Sequence, residues 1–125
     1  MAGKVQKINV LANAYLETAI EMVCVRLLTP YAKVRTVQMS GVKKVAAMIK
    51  LHGFNTTTPL TAVRSKQGIT VSGIVDGEHR WTAVIRFVED PDDDDWNTES
   101  KVPVRFFKEN TPEWLLLAYA ARKNR

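Results

Sequence analysis

The chain has one cysteine, Cys24, so no internal disulfide can form. A reducing, intracellular setting (cytoplasm, nucleoid or nucleus) is therefore expected. No apolar run approaches the roughly 20 residues that cross a bilayer, so no membrane partner is expected. The first residues lack a signal-peptide core, and before Arg26 there are Glu17 and Glu21 but no Arg, unlike a transit peptide. There is no internal repeat, no Cys/His set with zinc spacing, no phosphate loop of the Walker kind and no nucleophile elbow. Those absences argue against structural zinc, Walker-type phosphate binding and a nucleophile elbow. Acid is scarce too, once its distribution is considered. Seven of the 13 acidic residues crowd into 89–99, where no Lys or Arg occurs, leaving 18 basic against 6 acidic residues and a balance of +12 elsewhere. So basic a body suits an anionic partner, nucleotide or nucleic acid.

At 125 residues the chain is expected to be one domain, 1–125, with an ordinary apolar fraction of 46%. Ile8, Leu11, Ala12, Tyr15, Leu16, Ala19 and Ile20 fall on one face of a helix, giving an N-terminal helical extension over 1–20. That helix can cover a sheet face or pack on a partner chain in a homodimer. Glu21 to Leu28 is rich in apolar and β-branched residues and stops at Thr29-Pro30, although helical spacing also runs on through Val23 and Leu27. Cys24, inside this stretch, reads as a small buried hydrophobe. Pro30 to Arg35 reads as a loop. Ser40 can cap a helix over 41–51 with Val42, Val45, Ala46 and Ile49 inward, stopped by Gly53. His52 at its end reads as a capping or surface residue.

Leu60–Arg64 and Ile69–Val75 read as strands able to pair as a hairpin. The acidic segment 89–100 reads as a solvated insertion. Its carboxylates can take a hard cation through oxygens, but their spacing fits no calcium loop and lacks the glycine of its sharp turn. Like-charge repulsion, with Trp96 alone as an apolar anchor, predicts that 90–99 is mobile and that shortening it leaves the melting temperature unchanged. Val102–Phe107 is the last strand. Thr111-Pro112-Glu113 opens a final helix with Trp114, Leu117, Ala118 and Ala121 on its core face.

The most informative stretch is Gly73-Ile-Val-Asp-Gly-Glu-His-Arg-Trp-Thr-Ala-Val84. A strand runs into a helix whose Trp81, Val84, Ile85 and Val88 make a buried face. Asp76 suits the N-cap, and Gly77 permits a tight turn. Glu78, His79 and Arg80 then occupy the first helical turn, where unpaired amides and the positive dipole end collect anions. Arg and His add donors suited to phosphate. A plain strand-to-helix junction with a solvated polar turn has the same pattern.

Gly77-Glu78-His79-Arg80 resembles the signature of the ParB/sulfiredoxin superfamily, being a hybrid of the ParB Gly-Glu-Arg-Arg and the sulfiredoxin Gly-Cys-His-Arg. Val42 to Phe54 resembles the ParB helix that ends in a His-Gly turn. Pro59-Leu-Thr-Ala-Val63 and Lys101-Val-Pro-Val-Arg105 resemble strands that follow it, so the likeness covers roughly 21–125 in family order. It is this resemblance that places a strand at 21–28. It implies an α+β fold, a small mixed sheet with packed helices. It also implies a ParB-like domain that binds a nucleoside triphosphate, CTP or ATP, with Mg²⁺ as an accompanying ion.

In the resemblance Gly77, Glu78, His79 and Arg80 form the phosphate-binding turn, and Arg35 is a second phosphate or base contact, although Lys33-Val34 replace the family's Gln-Pro. Glu78 stands where sulfiredoxins carry their Cys, which removes thiol chemistry. His79 replaces a ParB Arg and weakens the fixed positive charge. Ala121 and Arg122 stand where ParB proteins carry a Glu and an Asn for metal-assisted hydrolysis, so that reaction is not expected, while Arg125 keeps its place. No helix-turn-helix is legible in these residues, so sequence-specific DNA reading of the partition type is not expected of them. Two further functions stay open: a phosphotransferase or a nuclease/hydrolase of the same fold with Glu78 as base, and a nonspecific DNA-binding protein.

Overall fold

The computed structural model describes residues 2–31, 38–64 and 72–121. The expected α+β class is found, as a five-stranded mixed sheet with helices on both faces. Helix α1 spans Ala2–Tyr15, β1 Leu16–Cys24, β2 Leu28–Pro30, α2 Met39–His52 and β3 Leu60–Val63. Then come β4 Ser72–Asp76, α3 Glu78–Glu89, β5 Lys101–Phe107 and α4 Glu113–Ala121. The sheet order is β1-β5-β3-β4-β2, with β1/β5 and β3/β4 antiparallel and β3/β5 and β2/β4 parallel. The expected hairpin is thus present as β3/β4; its connection, 65–71, lies outside the described residues.

Strand alternation divides the core between the faces. Leu60, Ala62, Ile74, Val102, Val104 and Phe106 point to the layer of α2 and α3. Val63, Val75 and Phe107 point the other way, to Ala12 of α1 and Leu116 and Ala120 of α4. The first helix therefore covers a face of its own sheet. Val42 and Ile49 bury the expected stripe of α2, and Ala83 and Val84 lead the buried side of α3.

Several expectations need correction. The N-terminal helix ends at Tyr15, not near 20, because pairing with β5 captures Leu16 onward as strand. A register shift between Leu16 and Ile20 accommodates it, and Arg105 Nε donates to the Glu17 carbonyl at 2.9 Å. Tertiary pairing here outweighs helical spacing. The expected strand 21–28 breaks at a 3₁₀ turn, Val25–Leu27, where Val25 N donates to Ser100 O at 3.0 Å and Val25 O accepts from Trp81 Nε1 at 3.1 Å. Leu28–Pro30 then crosses to the far edge of the sheet as β2.

The last helix is rotated from its expected face. Leu115, Leu116 and Ala120 are buried and Trp114 is 58% exposed. Phe107 meets Tyr119 edge to face at 5.1 Å and sets that rotation. Finally, the acidic segment is anchored: Trp96 packs on Phe54 and Phe87, each with ring centroids 6.5 Å away. Cys24 is half-buried, and its thiol donates to Thr98 O at 3.4 Å.

Candidate functional site

Strand β4 delivers the chain to Gly77, and Gly77, not Asp76, occupies the N-cap position of α3. Its φ of 104° is open to glycine and strained for other residues. A Cβ there would also lie 2.4 Å from Leu60 Cδ2. The glycine thus serves the turn and the packing of α3 against β3. Helix α2 starts without its expected cap as well: Gln38 holds the N-cap position, and Ser40 lies inside the helix. Neither helix start has a side-chain cap bond. Their first amides are left for other partners.

The two starts are close together. His79 lies against α2 at Gly41, where an added Cβ would meet the imidazole at 2.6 and 2.7 Å. Farther on, Ala46 of α2 and Ala83 of α3 line one groove, and Lys50 Nζ stands 4.9 Å from the Phe87 ring centroid. The helices therefore run in the same direction, and their positive ends converge beside His79. No acid lies in the first turn of α2; Glu78 is the acid in that of α3.

Arg80 bridges from α3 to the loop after α2. Its guanidinium donates to Thr58 O, to Thr58 Oγ1 at 3.3 Å and to Pro59 O at 3.5 Å. Its central carbon is 5.4 Å from the Phe54 ring centroid. Burial lowers the Arg80 pKa, with Asp76 acting in the opposite sense. A cation held among carbonyl dipoles and a ring face is desolvated without full charge compensation, a setting that an anion improves.

Arg80 also opens onto a cleft of about 680 Å³, within the range of small-molecule sites. Val45, Met48, Ile49 and Phe54 supply its apolar wall; Lys44, His52, Asn55 and Thr56 supply its polar rim.

Glu78 differs from its neighbours. Burial pushes its carboxyl up to about 7, with the charge of Asp76 contributing and the Glu78 backbone hydrogen bond opposing. Its Oε1 is buried and has no hydrogen-bond partner among the described residues. The structure thus brings Gly77, Glu78, His79 and Arg80 to one helix start. Arg35 lies outside the described residues. Gly41, Lys44, Phe54 and Thr58 were not singled out for this site by sequence reasoning. A glycine one residue after a capping-type serine was the available signal for Gly41. The described residues contain no group of three or more His, Cys, Asp and Glu arranged to hold a metal ion, and no helix among them is long and apolar enough to cross a membrane.

No protein-family model matches this sequence, and no curated protein matches it significantly. Among solved structures it is similar to the C-terminally truncated chromosome-partitioning protein ParB from Caulobacter crescentus, crystallised in complex with CTP-gamma-S. The TM-score is 0.63 at 18% identity, over 85% of this chain and 52% of that one. Likeness at that identity shows the fold: this is an α+β, ParB-like fold. The chain spans about half the length of that structure.

Proposed function

We propose that the chain binds a nucleoside triphosphate, CTP or ATP, with its phosphates at the Gly77–Arg80 turn. The convergence of two helix starts without side-chain caps at the Gly41–His79 contact carries this reading. Amides, two positive dipole ends, an imidazole and a guanidinium are there the parts of an anion site. The cleft beside Arg80 is large enough for the nucleoside, with Lys44 and His52 at its rim. Arg35 adds a further cation from the segment before α2. The CTP-gamma-S in the ParB structure supports a nucleotide as the anion. Asp76 and Glu78 are neighbouring carboxyls at the turn, and a Mg²⁺ accompanying the nucleotide would be held mainly by its phosphates, neutralising their charge.

Calorimetric titration of CTP, ATP and GTP with Mg²⁺ tests the reading. Wild type is expected to bind one of them, and Arg80→Ala to weaken binding by about ten- to a hundredfold, the worth of a charge-assisted contact. Equal binding by the variant puts the phosphates elsewhere. Absence of any nucleotide binding, with steeply salt-dependent binding of DNA, replaces this function by a nonspecific DNA-binding one.

A second reading rests on Glu78. A half-buried carboxyl poised at about 7, with an unpartnered oxygen at a phosphate turn, suits a general base in phosphoryl transfer or hydrolysis. Nucleotide turnover that Glu78→Gln abolishes while binding persists establishes it. Binding without turnover in wild type leaves the chain a binding module.

A further inference from the structure

The acidic segment after α3 is built more firmly than its charge suggests. Asp90 Oδ1 accepts from Asp92 N at 2.9 Å, and Asp93 Oδ1 accepts from the amides of Asp95 and Trp96 at 2.9 Å each. Asn97 Oδ1 accepts from Glu99 N at 2.8 Å, and Ser100 Oγ from Asn97 N at 2.9 Å. The other oxygen of Asp93 takes Lys50 Nζ of α2 at 2.7 Å. That bond chiefly raises the Lys50 pKa and lowers that of Asp93. The carboxylates at 90 and 93 are thus spent on backbone amides and a lysine, and their product is a fixed position for Trp96.

Trp96 meets two rings, Phe87 of α3 at an interplanar angle of 31° and Phe54 at 69°. Phe54 follows Gly53, which leaves α2 with φ 79°, and it sits between helix and strand with no regular ladder to hold it. The same Phe54 ring lines the cleft and lies against the Arg80 guanidinium. Trp96 itself does not line that cleft, and a segment with seven carboxylates and no cation repels a triphosphate. Its contribution to an anion site is therefore mechanical.

We infer that Trp96 is a positioning residue for nucleotide binding. It fixes the Phe54 ring and, through that ring, holds the Arg80 guanidinium at the cleft. This rests on the nucleotide reading of the cleft. It gives the acidic insertion a function: its hydrogen bonds seat one tryptophan behind the binding wall.

Calorimetry with Mg²⁺-CTP and Mg²⁺-ATP on the full chain tests it, using wild type, Trp96→Ala, Trp96→Phe, Arg80→Ala and the double variant Trp96→Ala/Arg80→Ala. Trp96→Ala should weaken binding about tenfold, and Trp96→Phe should restore it to within about threefold. The loss should vanish in the Arg80→Ala background, since residues acting through one contact are not additive. Asp93→Ala serves if Trp96→Ala melts too low to assay. Removing a carboxylate should by charge alone tighten anion binding; loss of the Trp96 seat should instead weaken it several-fold. Unchanged affinity in Trp96→Ala, losses that multiply independently with Arg80→Ala, or tighter binding in Asp93→Ala overturns the positioning role while leaving the site intact. If wild type binds neither triphosphate, the nucleotide reading falls and this inference with it.

Discussion

Gly41 is where a single hydrogen atom decides the geometry. Within a helix, alanine is favoured over glycine by about 1 kcal/mol. Yet a methyl at 41 would overlap the His79 ring, which is the free end of its side chain and can swing away. Gly41→Ala should therefore leave the melting temperature equal or raised while weakening triphosphate binding several-fold, read by thermal melting and calorimetry on the same samples. Glu78 supports a prediction of opposite character. Its folded pKa of about 7 lies above the ordinary 4.5, so between those values the folded chain holds a proton that the unfolded chain has released. Stability should fall as pH rises from 4.5 to 7 and level off above. Glu78→Gln should flatten that part of the profile, as followed by urea unfolding at a series of pH values. Gly77→Val, by contrast, reports on folding as well as on binding, because its Cβ meets Leu60 and its φ is strained.

Among the elements, those whose apolar residues repeat regularly were legible. Helix α3 and strand β5 lie where spacing placed them, and α2 begins two residues early. The motif turn was legible for the same reason: Asp-Gly before a charged triplet is a local signal. What sequence alone missed depends on partners distant along the chain. The strand character of Leu16–Ile20 comes from β5, the break at Val25 from Ser100 and Trp81, and the rotation of α4 from Phe107. The anchoring of the acidic segment escaped because like charges suggest repulsion, whereas Asp90 and Asp93 bind local amides.

The edge strand β1 depends on another distant tie. Arg64 after β3 donates to Glu17 and Glu21 of β1 and stacks 4.2 Å from the Phe106 ring centroid. The Arg64 hydrogen bond chiefly lowers the Glu17 pKa. That support is present above the ordinary carboxylate range and is lost as pH falls through the folded value. Hydrogen exchange of β1 amides, corrected for intrinsic rates, should therefore quicken in acid before that of β3, and Arg64→Ala should show the faster exchange already at pH 7.

At the scale of the whole molecule, the charges are segregated yet joined. The acidic insertion touches the basic body at Lys50 and packs a half-buried Trp96 against Phe54 and Phe87. Deleting 90–96 should lower the melting temperature by several degrees, since it removes a half-buried indole packed on two rings together with the Lys50–Asp93 bond. A ligand present at about a hundred times its dissociation constant should add about 2.7 kcal/mol of stability, a rise of several degrees in a thermal-shift assay with the matching nucleotide and none with the others.

The side-by-side, same-direction packing of α2 and α3 has one more consequence. Two parallel dipoles repel at both ends, and at the far, negative end the Lys50 cation in the last turn of α2 offsets them. At the near end, Gly41 and His79 meet with no compensating side-chain cap on either helix. Without an anion that end is the natural hinge, and the amides of 39–41 and 78–80 should exchange with solvent early while the helix middles stay closed. A bound phosphate would act as a rivet, closing both helix starts at once, so protection at one should never appear without protection at the other.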